Sequence, residues 1–291
     1  MKIIKTPLLV IIFLSMFPHI VLSDPKPLRI GITAVLIEQN INSNHKVSEY
    51  IGSKLRIPVE IVYRRNYREI NEMLGRSEID IAFVCGAAYT AGKEEFSMEL
   101  LAAPLLNGKP LYRSYVIVPS GSEDKDFFDL RGKRYAFTDP LSNSGYIVPV
   151  YWLYQKGENP DSFFKKYIFT RGHYNSIEAV AMRIVDGASV DSYVWEQAKK
   201  INPSMASMTK VIKESDQYPI TPVVARRNLD AGLKKRVIDV LFSMKTDQEG
   251  RGILTKMGLD GFVGIEDRFY DPLREMQRKV KENLRTSGDE R

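Results

Sequence analysis

The chain has 291 residues, 44% hydrophobic and 27% charged, an ordinary globular composition with room for two compact lobes or one large α/β domain. Its formal charge of +6 is spread along the sequence, densest in REMQRKVKENLR near the end, and no nucleic-acid-binding motif accompanies it, which excludes nucleic acid as the partner. The single cysteine, Cys85, excludes an internal disulfide and a cysteine-based zinc site, and within IDIAFVCG it reads as a buried, inert thiol.

Residues 1–23 read as a secretory signal peptide. Lys2 and Lys5 form a basic start, Leu8 to Phe17 an apolar run, Pro18 a break, and Val21 and Ser23 the −3 and −1 positions of a cleavage site. The run is too short to span a bilayer, and the alternative is an uncleaved anchor. Cleavage removes two lysines and lowers the formal charge to +4. No other apolar stretch is long enough to span, and no lipid-anchoring cysteine starts the mature chain, so a soluble periplasmic protein is expected.

PLRIGIT (27–33) reads as a first strand, and Asn42 to Leu55 as a helix with Val47, Tyr50, Ile51 and Leu55 on one face. VEIVYR is a second strand and YREINEMLGR a second helix, closed by Gly75. IDIAFVCG is nearly all apolar, as a parallel strand buried on both faces would be. This alternation predicts a doubly wound α/β lobe. Further along, LYRSYVIV and RYAFT read as strands, GYIVPVYWLYQKG as a helix and KKYIFTRGH as a strand. NSIEAVAMRIVDG reads as a helix stopped at Gly187, SVDSYVWEQAKK as a strand running into a helix, TKVIKES and PITPVVARRNL as strands, and DAGLKKRVIDVLFSMKTD as an amphipathic helix. The expected fold is two α/β lobes, each a doubly wound, mostly parallel sheet, with crossings near 110–114 and 215–222. Lobe 1 takes residues 24–112 and 218–270, the inserted lobe 2 takes 113–217, and a C-terminal helix and frayed tail take 271–291. Two crossings make a hinged clamp around a cleft.

DPLSNSGY (139–146) poses the chemical question. Asp139-Pro140 stops the preceding element, Ser142 and Ser144 are good helix caps, and Gly145 lets the backbone approach something closely. Helix-start amides, two hydroxyls and a carboxamide together make a donor pocket suited to a tetrahedral oxyanion. The bland alternative is that one serine caps and the other is solvated.

DPLSNSGYIVP resembles the D-P-x-S-T-S-G-x-x-x-P segment of the periplasmic phosphate-, phosphite- and phosphonate-binding proteins of ABC transporters, which have the type II binding-protein fold. YREINEMLGRSEIDIAFVCGAAY, YRSYVIV, LRGKRYAFTDP, TRGHYNSIEAVAMRIVDGASVDS and SDQYPITPVVARRNL resemble family segments in the same order, over roughly 28–245. The resemblance implies that Ser142, Asn143, Ser144 and His173 hold the oxyanion, and that Tyr67 lines the cleft. It implies that Asp191 meets the non-phosphoryl part of the ligand or lines the hinge, and that Tyr89 and Ser114 stand at strand ends facing the cleft. The bland readings are a packed core histidine for His173 and a core aromatic for Tyr67. Three departures stand out: Asn143 replaces the middle threonine, Val84 replaces an aromatic of phosphonate-specific members, and TAVLIEQN replaces a proline-containing turn. Oxyanion binding carries over on this basis; specificity for an aminoalkyl substituent does not.

The resemblance implies a monomeric carrier of a small oxyanion that docks on an ABC transporter permease, without cofactor or metal. Another reading of the same fold is a periplasmic sensor acting through a membrane sensor kinase on a changed ligand. Enzyme signatures are missing: the sequence has no G-x-S-x-G and no H-E-x-x-H, and outside the signal peptide its histidines are His45 and His173. A Ser144/His173/Asp191 triad can be drawn on paper, but a capping serine lacks the strained elbow of a nucleophile.

Overall fold

The computed structural model describes residues 26–33 and 41–286. The signal peptide expected over 1–23, most of TAVLIEQN and the end of the tail lie outside the described residues.

β1 (Leu28–Thr33) sends Leu28, Ile30 and Ile32 into the core. Gly31 admits close neighbours, since a Cβ there would stand 2.5 Å from Ile79 Cδ1 and 3.2 Å from Ile70 Cδ1. After α1 (Ile41–Leu55), β2 (Val59–Arg64), α2 (Tyr67–Gly75) and β3 (Ile81–Phe83), the chain has built a parallel trio. Ile30 lies opposite both Ile61 and Ile81 in register, which is the strand–helix alternation read from the sequence. α3 (Gly86–Phe96) and β4 (Glu99–Leu105) follow. Neither was expected, because GAAYTAGKEEF is too rich in small residues to show a helical stripe.

The chain crosses to a second sheet through β5 (Leu111–Tyr112) and enters it at β6 (Ser114–Pro119). It continues through a 3₁₀ turn (Phe127–Leu130), β7 (Arg134–Phe137), a π-helical turn (Asn143–Ile147), α4 (Val148–Tyr154), α5 (Pro160–Phe163) and β8 (Lys166–Phe169). α6 (His173–Ala181), β9 (Gly187–Asp191), α7 (Ser192–Ile201), α8 (Pro203–Ala206) and β10 (Thr209–Glu214) complete this lobe. The helix expected over NSIEAVAMRIVDG stops at Ala181, because Arg183 takes a left-handed backbone (φ 57°) that no helix continues through. β7 pairs in parallel with both β8 and β9, a second parallel trio.

β11 (Tyr218–Pro219) returns antiparallel to β5, with Tyr218 opposite Tyr112. β12 (Val223–Ala225), α9 (Ala231–Ser243), α10 (Gln248–Met257), β13 (Gly261–Val263), a second 3₁₀ turn (Asp267–Tyr270) and α11 (Asp271–Thr286) finish the fold. PITPVVARRNL, expected as one strand, is divided between two, with Pro222, which brings no N–H to a ladder, in the gap before Val223. Among the described residues the first lobe holds a six-stranded sheet in the order β13-β4-β12-β3-β1-β2, and the second a five-stranded sheet in the order β10-β6-β9-β7-β8. In each, the parallel trio is completed by antiparallel strands at the returning crossings.

Asp80 ties the first sheet, accepting from the Arg29 amide at 2.9 Å and from Arg226 Nε at 3.0 Å. α11 spans both lobes: Leu273 joins the core around the first sheet, while Met276 and Val280 join the core around the second. No helix among the described residues is long and apolar enough to cross a membrane.

Candidate functional site

The carboxyl ends of the parallel strands of both sheets meet. β7 runs directly into the serine motif, β8 into the turn before His173, β9 ends at Asp191, and β3 leads to Cys85. Open α/β sheets place ligands at this edge. Ser142, Asn143, Ser144, His173, Tyr67 and Ser114 are at most 1% exposed and Asp191 is 3% exposed, so the group is closed off from solvent.

Ser142 is the cap: its Oγ accepts the Gly145 amide at 3.0 Å, and its carbonyl accepts Tyr146 and Ile147. With the oxygen so used, its O–H remains to donate. Gly145 is required by space, because a Cβ would stand 2.6 Å from Thr138 Cβ and 3.0 Å from Ser142 Oγ. Asn143 reaches across to the first lobe and its hinge. Its amide donates to Cys85 Sγ at 3.2 Å and its Nδ2 to the Tyr112 hydroxyl at 3.1 Å. Ser144 Oγ and the Tyr67 hydroxyl are buried with no hydrogen-bond partner of ordinary geometry, although Ser144 stands close enough to bias the acidity of Tyr112. A buried hydroxyl left in this way costs about 1–3 kcal/mol, and these two are donors that the surrounding side chains leave uncommitted.

His173 opens α6, and its tautomer follows from its partners. The Asp191 backbone N–H, which can only donate, lies 3.1 Å from Nδ1, and Thr138 Oγ1 stands at the same distance. Nδ1 is therefore an acceptor and the proton is on Nε2, which faces Ser142 Oγ at 3.5 Å. Burial drives the pKa of His173 down from 6.5 to about 3, so the ring is neutral at pH 7. It offers an N–H without a charge.

Asp191 caps α7, its Oδ1 accepting Tyr193 N at 2.8 Å and Val194 N at 3.4 Å, and burial pushes its carboxyl up to about 7. Ser114 Oγ donates to the Ser144 carbonyl at 2.6 Å, which positions the motif and uses that hydroxyl. Tyr89 does not join the group: its hydroxyl donates to Asp267 and its ring packs edge-on against Tyr270. α3 turns it toward the C-terminal segment, an element that strand-end reasoning did not include.

The paper triad is not assembled either. His173 Nδ1 meets the amide of Asp191 rather than its carboxylate, and Nε2 faces Ser142 rather than Ser144. Among the described residues no group of side chains is arranged to hold a metal ion. Tyr112, Thr138 and the acceptor role of Cys85 were missed. Tyr112 opens the crossing strand, and an aromatic at a hinge beside a cleft was the available signal.

The chain matches the family model described as ABC transporter, phosphonate, periplasmic substrate-binding protein over residues 30–270. It is 27% identical to the phosphonates-binding periplasmic protein of Escherichia coli K12, over 91% of this chain and 82% of that one. Its fold is similar to the binding-protein component of an ABC phosphonate transporter of Pseudomonas aeruginosa, with a TM-score of 0.83, 23% identity and coverage of 90% of this chain and 88% of that one. PhnD1 of Prochlorococcus marinus, solved with methylphosphonate, has a TM-score of 0.78 at 21% identity, covering 88% of this chain and all of that one. A family match across most of the chain, on a two-lobed fold whose serine motif closes against a histidine, places this protein in the family of periplasmic phosphonate substrate-binding proteins of ABC transporters.

Proposed function

We propose that the mature protein, exported through its signal peptide, captures a phosphorus oxyanion between its lobes in the periplasm and delivers it unchanged to the permease of an ABC importer. Ser142, Ser144, Tyr67 and His173 Nε2–H donate to the ligand oxygens; Asn143, Ser114 and Asp191 hold those donors in place. The lobes in this reading are 24–112 with 218–270, and 113–217. Family membership and the methylphosphonate held by the Prochlorococcus relative support the ligand class.

The observation that carries the reading is the pair of buried, unpartnered hydroxyls, Ser144 Oγ and Tyr67 OH, beside a histidine fixed as a neutral donor. Neutral, preoriented donors suit an anion that must be released again, since each hydrogen bond to a charged acceptor is worth about 1.5–3 kcal/mol. The test is a thermal-shift screen of the mature protein against phosphate, phosphite, methylphosphonate, 2-aminoethylphosphonate and sulfate. A large shift with a phosphorus oxyanion, lost in Ser142→Ala/Ser144→Ala, is the expected result. No shift with any of them would sink the proposal and direct attention to a sensor with a changed ligand.

A further inference from the structure

The polar atoms left over in the closed group are not all donors. Besides the Ser144 and Tyr67 hydroxyls, the buried Asn143 Oδ1 has no partner, and a carboxamide oxygen can only accept. The same amide donates through Nδ2 to the Tyr112 hydroxyl, which also interacts with Ser144, so the Asn143 side chain lies beside the residues that carry the unpartnered donors.

The formal charges around this enclosure are unfavourable to a dianion. Among the described residues His173 is neutral, and the groups that act most strongly on Tyr67 are Cys85, Asp139, Asp191 and Tyr112, none of them cationic. Arg171, whose amide donates to the Thr138 carbonyl, is already paired with Asp139 Oδ2 at 3.4 Å. A fully deprotonated oxyanion presents acceptors alone and would set one of its oxygens against the lone pairs of Oδ1. An oxyanion that keeps one proton satisfies every leftover atom: its bare oxygens take the hydroxyls and His173 Nε2–H, and its O–H goes to Oδ1.

We propose that the site selects the singly protonated form of its ligand, with Asn143 Oδ1 accepting the ligand's own O–H. This deepens the phosphorus-oxyanion reading and rests on it. Asn143 is then a specificity residue. It disfavours sulfate, which has no proton at neutral pH, and any phosphorus diester, which has no O–H to give. When the free ligand is a dianion, binding takes one proton from solvent and seats it on the ligand oxygen.

The experiment is titration calorimetry of the mature protein with methylphosphonate, more than one pH unit above the ligand's second pKa, in two buffers of different ionisation heat. One proton is expected to be taken up per ligand, with affinity falling about tenfold per pH unit. Asp191, Asp139 and His173 are the other seats for a proton, so Asp191→Asn and Asn143→Leu are titrated in parallel. Uptake kept in Asp191→Asn and lost in Asn143→Leu, together with weaker discrimination between methylphosphonate and sulfate in the latter, supports the proposal. Binding without uptake overturns it, and would mean that the amide presents Nδ2 to the ligand. Uptake that vanishes in Asp191→Asn or persists in Asn143→Leu also overturns it, because the proton then sits on the protein. No binding heat with methylphosphonate, phosphite or phosphate fails the underlying reading itself.

Discussion

At the scale of single residues, the two serines of the motif do different work. Ser142 holds the turn through the Gly145 amide, whereas Ser144 Oγ has no hydrogen-bond partner of ordinary geometry. Ser144→Ala should therefore leave the melting temperature unchanged or slightly raised while weakening ligand binding. Ser142→Ala should also cost about 1 kcal/mol of stability, the usual value of a lost cap. Together the two changes should weaken binding by ~2–4 kcal/mol, read by calorimetry on variants whose circular dichroism matches the parent.

His173 and Asp191 make a pH prediction of opposite signs. The histidine titrates at 6.5 when unfolded and near 3 when folded, so the unfolded chain binds more protons in that window and stability falls on acidification. Asp191 titrates at 3.8 when unfolded and near 7 when folded, so the folded state binds more protons there and stability rises on acidification. The two slopes oppose each other between 3.8 and 6.5. Asp191→Asn should make melting temperature drop more steeply than in the parent from pH 7 to 4, and His173→Gln less steeply. Parallel slopes in all three would show that neither group's burial controls stability.

At the scale of elements, α11 is the one whose placement says most about function. Its Leu273 is buried with the first lobe, and Gln277 Nε2 donates to the Ala87 carbonyl of α3 at 2.9 Å. Its Met276 and Val280 are buried in the second lobe, and Asn283 Nδ2 donates to the Glu158 carbonyl at 3.1 Å. A helix joined to both lobes resists their separation. Met276→Ala and Val280→Ala should each cost about 2–4 kcal/mol as large-to-small core changes, measured by denaturant unfolding. A cost below 0.5 kcal/mol for both would mean that the helix is only loosely attached.

At the scale of the molecule, the lobes are joined through the site itself. Cys85 follows β3 of the first sheet, while the Asn143 amide that donates to its sulfur belongs to the second lobe. Burial raises this thiol to about 11, which keeps it protonated and unreactive while the lobes are closed. In the capture cycle proposed above the lobes part at this seam, which would expose the thiol. Alkylation of Cys85, followed by intact mass, should be slow with ligand and at least several-fold faster without. Equal rates would mean that the seam at Asn143 does not part.

Much of the fold was legible in the residues, because period-3.6 and period-2 apolar spacing is local. The run IDIAFVCG had to be buried on both faces, and Asp-Pro had to stop an element before the serines. α3 and β4 were not legible, since small residues pack by virtue of what surrounds them. The motif itself announced donors: two serines, an amide and a close-approach glycine. Which of those donors were spent was decided by contacts between distant segments. The amide of Asp191 sets the proton on His173, Asn143 Nδ2 is spent on the Tyr112 hydroxyl, and Tyr89 turns to Asp267 on an element the motif does not touch. Sequence determined the kinds of polar group available, because those are properties of residues. Tertiary structure alone decided which of them remain unpaired, because a hydrogen bond is used up only when its partner arrives from elsewhere in the chain.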